Sequence, residues 1–139
     1  MELNGWLVLD KPSGITSNKA LMILKKLLKP KKIGHAGTLD PFATGILMVA
    51  LGEATKTVQY AMGSTKAYEF EITWGQTRDS HDIDGAVTEE SSARPTLPQL
   101  QETLKLFMGE ISQIPPEYSA IKINGKRACD IMREGKSVE

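Results

Sequence analysis

Gly34-His35-Ala36-Gly37-Thr38-Leu39-Asp40-Pro41-Phe42-Ala43-Thr44-Gly45 carries most of what this sequence says about its fold. Three glycines in this short run permit positive φ and let the backbone approach a ligand closely. Pro41 biases the preceding residue toward an extended backbone, which holds the Asp40 carboxylate in a defined direction. Such a loop can present one acid rigidly, as nucleophilic or general-base work requires. Glycine-rich turns with an aspartate also occur where no chemistry does, and the spacing is neither a Walker A loop nor a dinucleotide fingerprint. On loop physics alone the signal is modest.

On the C-terminal side, Ile46–Leu51 is a continuous apolar run that predicts a buried strand, and 53–62 reads as a short helix. Residues 66–75 give the clearest strand pattern, with Tyr68, Phe70, Ile72 and Trp74 on one face and Glu69, Glu71 and Thr73 on the other. A polar, acid-rich loop over 76–85 precedes a weak strand at 86–90. Thr96 is placed to cap a helix over 97–108, with Leu100, Leu104, Phe107 and Met108 inward and Gly109 as its stop. Pro115-Pro116 breaks the chain before a predicted strand at 118–123. Asn124-Gly125 is a type I′ turn signal, and a helical piece follows over 126–134.

On the N-terminal side, Trp6-Leu7-Val8-Leu9 predicts a buried strand, broken by Asp10-Lys11-Pro12-Ser13-Gly14. Ser17 is a good N-cap for a helix through Lys29, with Ala20, Leu21, Leu24, Leu27 and Leu28 on one face and Pro30 as its end. Residues 31–45 read as loop. Strands and helices in mixed order, with hairpin signals, predict an α+β fold with a largely antiparallel sheet.

The chain has 139 residues, enough for one domain with a real core, and no internal repeat or linker divides it. Its hydrophobic share of 40% and charged share of 24% are ordinary for a soluble globular protein. No apolar run reaches the length of a membrane span and no signal peptide opens the chain, so the expected compartment is cytoplasmic. The single cysteine, Cys129, excludes an internal disulfide framework and reads as a small packing residue. Zero net charge argues against binding nucleic acid by bulk charge. The charges are segregated, however. Seven lysines and no acid lie between Lys11 and Leu39, while ten acids face three bases between Ala67 and Glu117. A neutral chain can thus offer a polyanion one basic face; taken without the motifs, a lysine-rich solvated helix explains the same run.

The central run resembles the catalytic motif of the TruB family of pseudouridine synthases, G-H-x-G-x-L-D-P-x-A-x-G, and matches it at every fixed position. The resemblance continues in order along essentially the whole chain. Asn4-Gly5-Trp6-Leu7-Val8-Leu9-Asp10-Lys11-Pro12-Ser13-Gly14 with Thr16-Ser17-Asn18 is similar to the family's opening motif. Leu51-Gly52-Glu53-Ala54-Thr55-Lys56 and Lys66-Ala67-Tyr68 follow. Ile114-Pro115-Pro116 with Tyr118-Ser119-Ala120 and Lys122 is similar to the insertion with which family members grip RNA.

The resemblance implies the pseudouridine synthase fold, a mixed and mostly antiparallel sheet flanked by helices and loops, incomplete in this chain. Residues 1–139 would be the N-terminal portion of the catalytic domain, with about 111–139 as the RNA-gripping insertion. It further implies isomerisation of uridine to pseudouridine in the T arm of tRNA, conventionally U55, by a cytoplasmic, stand-alone bacterial enzyme that acts as a monomer without cofactor or metal. The N1–C1′ bond breaks and the uracil rejoins through C5, which requires flipping the base out of its stack. Asp40 would be the catalytic carboxylate, attacking C1′ or removing the C2′ proton. Tyr68 would stack on the flipped uracil, a contact worth ~1–3 kcal/mol; as one more aromatic in an alternating strand it has a simpler explanation. His35 would contact RNA at the flipping site, although a lone histidine is commonly a satisfied structural residue. Lys11 and Pro12 are expected to pack under the catalytic loop rather than touch substrate.

Two other signals are set aside. Asp79, Asp82 and Asp84 with Gly85 do not have calcium-loop spacing, and His81 has no second histidine or cysteine placed to complete a metal site. The chain departs from the family where Lys126-Arg127 is followed by Ala128-Cys129 instead of an aromatic. The arginine and second tyrosine of family active sites, and the small C-terminal RNA-binding domain, are not in these residues, so the chain alone is expected to have little or no activity. A second function class, a non-catalytic RNA-binding or tRNA-folding module of the same fold, is the alternative. A third, a relative working inside a guide-RNA particle, fits less well with the 118–122 insertion.

Overall fold

β1, Gly5–Lys11, and β3, Gly45–Leu51, pair antiparallel over their full length, from Gly5↔Leu51 to Lys11↔Gly45. Between them the chain forms α1, Ser17–Leu28, and β2, Ile33–Ala36, which pairs antiparallel with the other edge of β3. The strand order is β1-β3-β2. A computed structural model describes residues 2–114, 122–128 and 131, and these elements belong to the first of two compact units, Met1–Tyr68 and Glu69–Glu139.

The side-chain period of two puts Leu7, Leu9 and Lys11 of β1 on the face that carries Leu47, Val49 and Leu51 of β3. Against that face α1 brings Ala20 and Leu21, and the cluster is completed by partly buried Leu7, Leu9, Ile15, Leu24, Ile33 and Leu39. β3 is the central strand and reads as an unbroken apolar run for that reason. Trp6, Val8 and Ile46, on the opposite face, are exposed.

Three predictions within this unit change. The N-cap of α1 is Thr16, in extended conformation, whose Oγ1 accepts from the Lys19 N–H at 3.1 Å; Ser17 is the first helical residue. Leu27 and Leu28, assigned to the inner face, are exposed, because α1 meets the sheet only through its first turns. The stretch 31–45 is not all loop, since Ile33–Ala36 is β2: Gly34 pairs with Ala50, and the open edge of β3 outweighs glycine's weak strand propensity. Residues 53–62 are helical as expected, in two pieces, a 3₁₀ helix Gly52–Thr57 and α2, Val58–Met62.

The 66–75 stretch departs most. No strand forms there: no strand of the described residues pairs with it, and Tyr68, Phe70, Ile72 and Trp74 are all exposed. Alternation specifies two faces of a strand but does not supply the hydrogen-bonding partner that makes one.

In the second unit, β4, Gln76–Arg78, lies where a loop was predicted and pairs antiparallel with β5, Val87–Glu90, through a bulge at Thr77/Arg78. α3, Leu97–Lys105, starts at Thr96, whose backbone N–H and hydroxyl both donate to Gln99 Oε1 at 2.8 Å. It ends short of Met108, and Leu104, Phe107 and Met108 are exposed instead of inward. Gly109 follows with φ +80°. β6, Lys122–Ile123, and β7, Lys126–Arg127, form a hairpin. Its turn residues Asn124 and Gly125 both have positive φ, as type I′ demands. β7 takes the residues where the last helix was predicted to begin. Pro115-Pro116, the 118–121 part of the predicted strand, Cys129 and most of 126–134 lie outside the described residues. Helices with antiparallel strand pairing throughout make the fold α+β.

Candidate active site

The loop between β2 and β3 is held by the turn that connects β1 to α1. Lys11 ends β1 with its side chain wholly buried. Its ammonium donates to the carbonyls of Pro12 (2.9 Å), Ile15 (2.8 Å) and Pro41 (3.3 Å). Three acceptors match the three donors of an ammonium, which is how a cation is accommodated here with no ion pair among the described residues. The Gly14 N–H also donates to the Pro41 carbonyl, at 2.8 Å.

Two residues earlier in the loop a second attachment forms. Ser17, 2% exposed, donates its hydroxyl to the Leu39 carbonyl and accepts from the Leu39 N–H, both at 3.0 Å. The Leu39 side chain packs against the core cluster. Asp40 therefore lies between two tethered residues, Leu39 and Pro41. Its own carbonyl accepts from the Ala43 N–H at 3.1 Å, closing a tight turn. The Asp40 side chain is exposed, and no hydrogen bond or ion pair engages its carboxylate among the described residues. A carboxylate on an immobilised backbone, open to solvent and without a cation of its own, is available to a ligand.

His35 sits in β2 opposite Val49, and its Nδ1 is hydrogen-bonded to the Gly37 carbonyl. That bond folds the imidazole back over the start of the loop. Gly37 takes φ +100° and Gly45 φ +123°, so two of the three glycines use the left-handed region. A Cβ at Gly37 would meet only Lys66 Cε, at 3.8 Å, so the end of the Lys66 side chain lies beside the loop. Lys66 is itself tied down by bonds from Nζ to the Met62 and Ser64 carbonyls, at 2.6 and 3.0 Å. Tyr68, two residues on, is 68% exposed.

Lys11, Pro12, His35 and Asp40 are thus joined through the backbone of one loop and its neighbouring turn. Tyr68 lies two residues beyond Lys66, the residue whose side chain reaches Gly37, and no hydrogen bond links it to Asp40 or His35 among the described residues. Ser17 was missed as part of the site. The available signal was two adjacent hydroxyls, Thr16 and Ser17, where a helix start needs only one cap. In the second unit, an open depression lined by Trp74, Gln76, Glu90 and Arg94 among others contains none of the predicted site residues. Among the described residues no helix is long and apolar enough to cross a membrane.

Residues 25–139 match the model of the TruB family pseudouridylate synthase N-terminal domain. Across 99% of its length the chain is 54% identical to tRNA pseudouridine synthase B of Bradyrhizobium diazoefficiens, of which it covers 40%. It is 52% identical to the same-named protein of Rhizobium etli, covering 44% of it, and 50% identical to that of Brucella melitensis, covering 42%. The chain therefore spans about two fifths of the length of these relatives. A solved H/ACA RNP bound to a substrate RNA containing 2′-deoxyuridine is 50% identical over 40% of this chain and 18% of the other, with a TM-score of 0.39, too low for a structural argument. The match over 25–139 takes in the whole Gly34–Gly45 loop, and the chain belongs to the TruB family of pseudouridylate synthases.

Proposed function

We propose that this chain carries the catalytic aspartate of a tRNA pseudouridine synthase that converts the T-arm uridine, U55, to pseudouridine. The observation that carries the reading is Asp40: its neighbours are tethered by Ser17, Lys11 and Gly14, while its carboxylate is exposed and unengaged. Pure RNA binding has no use for a rigidly presented carboxylate facing a polyanion. Family membership and about half-identity to proteins named tRNA pseudouridine synthase B support the same conclusion.

In this reading the uridine is flipped from its stack and Asp40 acts at the ribose, at C1′ or at the C2′ proton. The N1–C1′ bond breaks, the uracil turns, C5–C1′ forms, the C5 proton passes to solvent and N1 regains one. No cofactor or metal enters the balance. Tyr68, an exposed aromatic, stacks on the flipped base, and His35 contacts the RNA where the base leaves. Lys11 and Pro12 support the loop from beneath. The exposed lysines 25, 26, 29, 31 and 32 give the phosphates a basic surface.

Residues 1–139 are then the N-terminal portion of the catalytic domain, about 111–139 being the RNA-gripping insertion. The enzyme is a cytoplasmic monomer. The product's position tests the reading: after incubation of unmodified tRNA with the natural-length protein, carbodiimide labelling and primer extension should stop at the T-arm uridine. Labelling at no uridine would favour the alternative, a binding or folding module.

A further inference from the structure

We propose that Ser17 is a positioning residue for Asp40, its hydroxyl fixing the peptide plane from which the catalytic carboxylate springs. The proposal rests on the functional reading above and adds a residue to it.

Thr16 already caps α1, so the Ser17 hydroxyl is not needed for helix initiation. It is buried instead and spends both its donor and its acceptor on one residue, Leu39, 22 positions along the chain. A single hydroxyl bonded to the N–H and the C=O of the same residue fixes both peptide planes that flank it. The second of these planes, carrying the Leu39 carbonyl, joins Leu39 to Asp40, so its orientation sets rotation about the Asp40 N–Cα bond. The following plane is constrained by the Pro41 ring. The Pro41 carbonyl is held in turn by Gly14 and Lys11. With the Leu39 side chain packed against the core, the freedom left to Asp40 is that of its own side chain. An exposed carboxylate keeps little direction from side-chain packing, so its aim depends on the backbone, and Ser17 acts on that backbone immediately before it.

Loss of this attachment is expected to lower the chemical step without weakening RNA binding, because Ser17 is buried and touches no substrate. The natural-length protein carries the test, with Ser17→Ala, Ser17→Thr and, as a stability control in the same helix, Ala20→Gly. Single-turnover tritium release from 5-³H-uridine T-arm RNA, RNA affinity and hydrogen exchange of the Leu39 amide are measured together. Ser17→Ala should slow release roughly ten- to hundredfold, the scale of a misplaced catalytic group, leave affinity unchanged and expose the Leu39 amide to exchange. Ser17→Thr, which keeps the hydroxyl, should stay above Ser17→Ala, and Ala20→Gly should keep the wild-type rate per folded molecule. Unprotected Leu39 with undiminished release in Ser17→Ala would overturn the inference and leave the functional reading intact. Equal losses in Ser17→Ala and Ala20→Gly would also overturn it. If wild type releases no label, the functional reading fails and this inference with it.

Discussion

The ammonium of Lys11 reaches the carbonyl of Pro41 at 3.3 Å, across 30 residues of sequence and from a fully buried position. The contact joins the end of β1 to the residue that follows Asp40. Because Nζ also holds the carbonyls of Pro12 and Ile15, one side chain organises the turn and the loop together.

Removing that ammonium while keeping the apolar stem isolates its contribution. Lys11→Met leaves carbonyls without their buried charged donor and should cost about 2–3 kcal/mol of unfolding free energy. Lys11→Arg should not restore it, since a planar guanidinium does not reproduce three converging point contacts. Urea denaturation reads both; a Lys11→Met protein as stable as wild type would remove Lys11 from this account.

Gly52 has φ +58°, and a Cβ there would lie 2.0 Å from Asn4 Oδ1 and 2.6 Å from the Leu3 carbonyl. Gly52→Ala should therefore destabilise by about 3 kcal/mol, combining left-handed strain with a backbone clash. Gly37→Ala, with comparable strain but an open neighbourhood, should cost distinctly less. The difference between the two midpoints in thermal melts measures the clash, and equal losses would contradict it.

Much of the fold is legible in the sequence where its signals are local. The apolar run 46–51 needs no partner to be recognised as a strand, and Asn124-Gly125 encodes its own turn. The Thr96 cap is equally local. What sequence does not reveal is nonlocal. β2 was hidden because Gly34 reads as a breaker until β3 lies beside it. The alternating 66–75 stretch has its two faces but no paired strand among the described residues. In the site, the rigid presentation of Asp40 follows from Pro41 and the glycines only in outline. One tether is a serine that reads as a helix cap; the other is Lys11, whose place under the loop came from the family resemblance and not from its residue type, and each acts on a residue more than twenty positions away.

Glu53 is held below its ordinary value of 4.5, first by the hydrogen bond from Lys56, then by the charge of Lys56, with Lys32 and Lys31 contributing further. A depressed carboxyl contributes stability that is present above its unfolded value and lost as pH falls through its folded one. The pair is exposed, so the effect on stability is small. Carbon-detected NMR titration should place the Glu53 midpoint below 4.5 in wild type and move it upward in Lys56→Met. An unmoved midpoint would assign the depression to another source.

If lysines 25, 26, 29, 31 and 32 meet phosphates, RNA affinity should fall linearly in a log–log plot against salt. Each contacting lysine replaced by alanine should reduce the slope by about 0.7–0.9. Filter binding across a salt series checks this. Unchanged slopes would leave these lysines as a solvated helix end.

The central claim is that the exposed Asp40 carboxylate does the chemistry. Its most direct measurement is tritium release from 5-³H-uridine tRNA by the natural-length protein and its Asp40→Asn variant, which preserves shape and removes the charge. Wild type should release label with turnover, while Asp40→Asn should bind tRNA equally well and release none above background. Equal release by the two proteins would contradict the account.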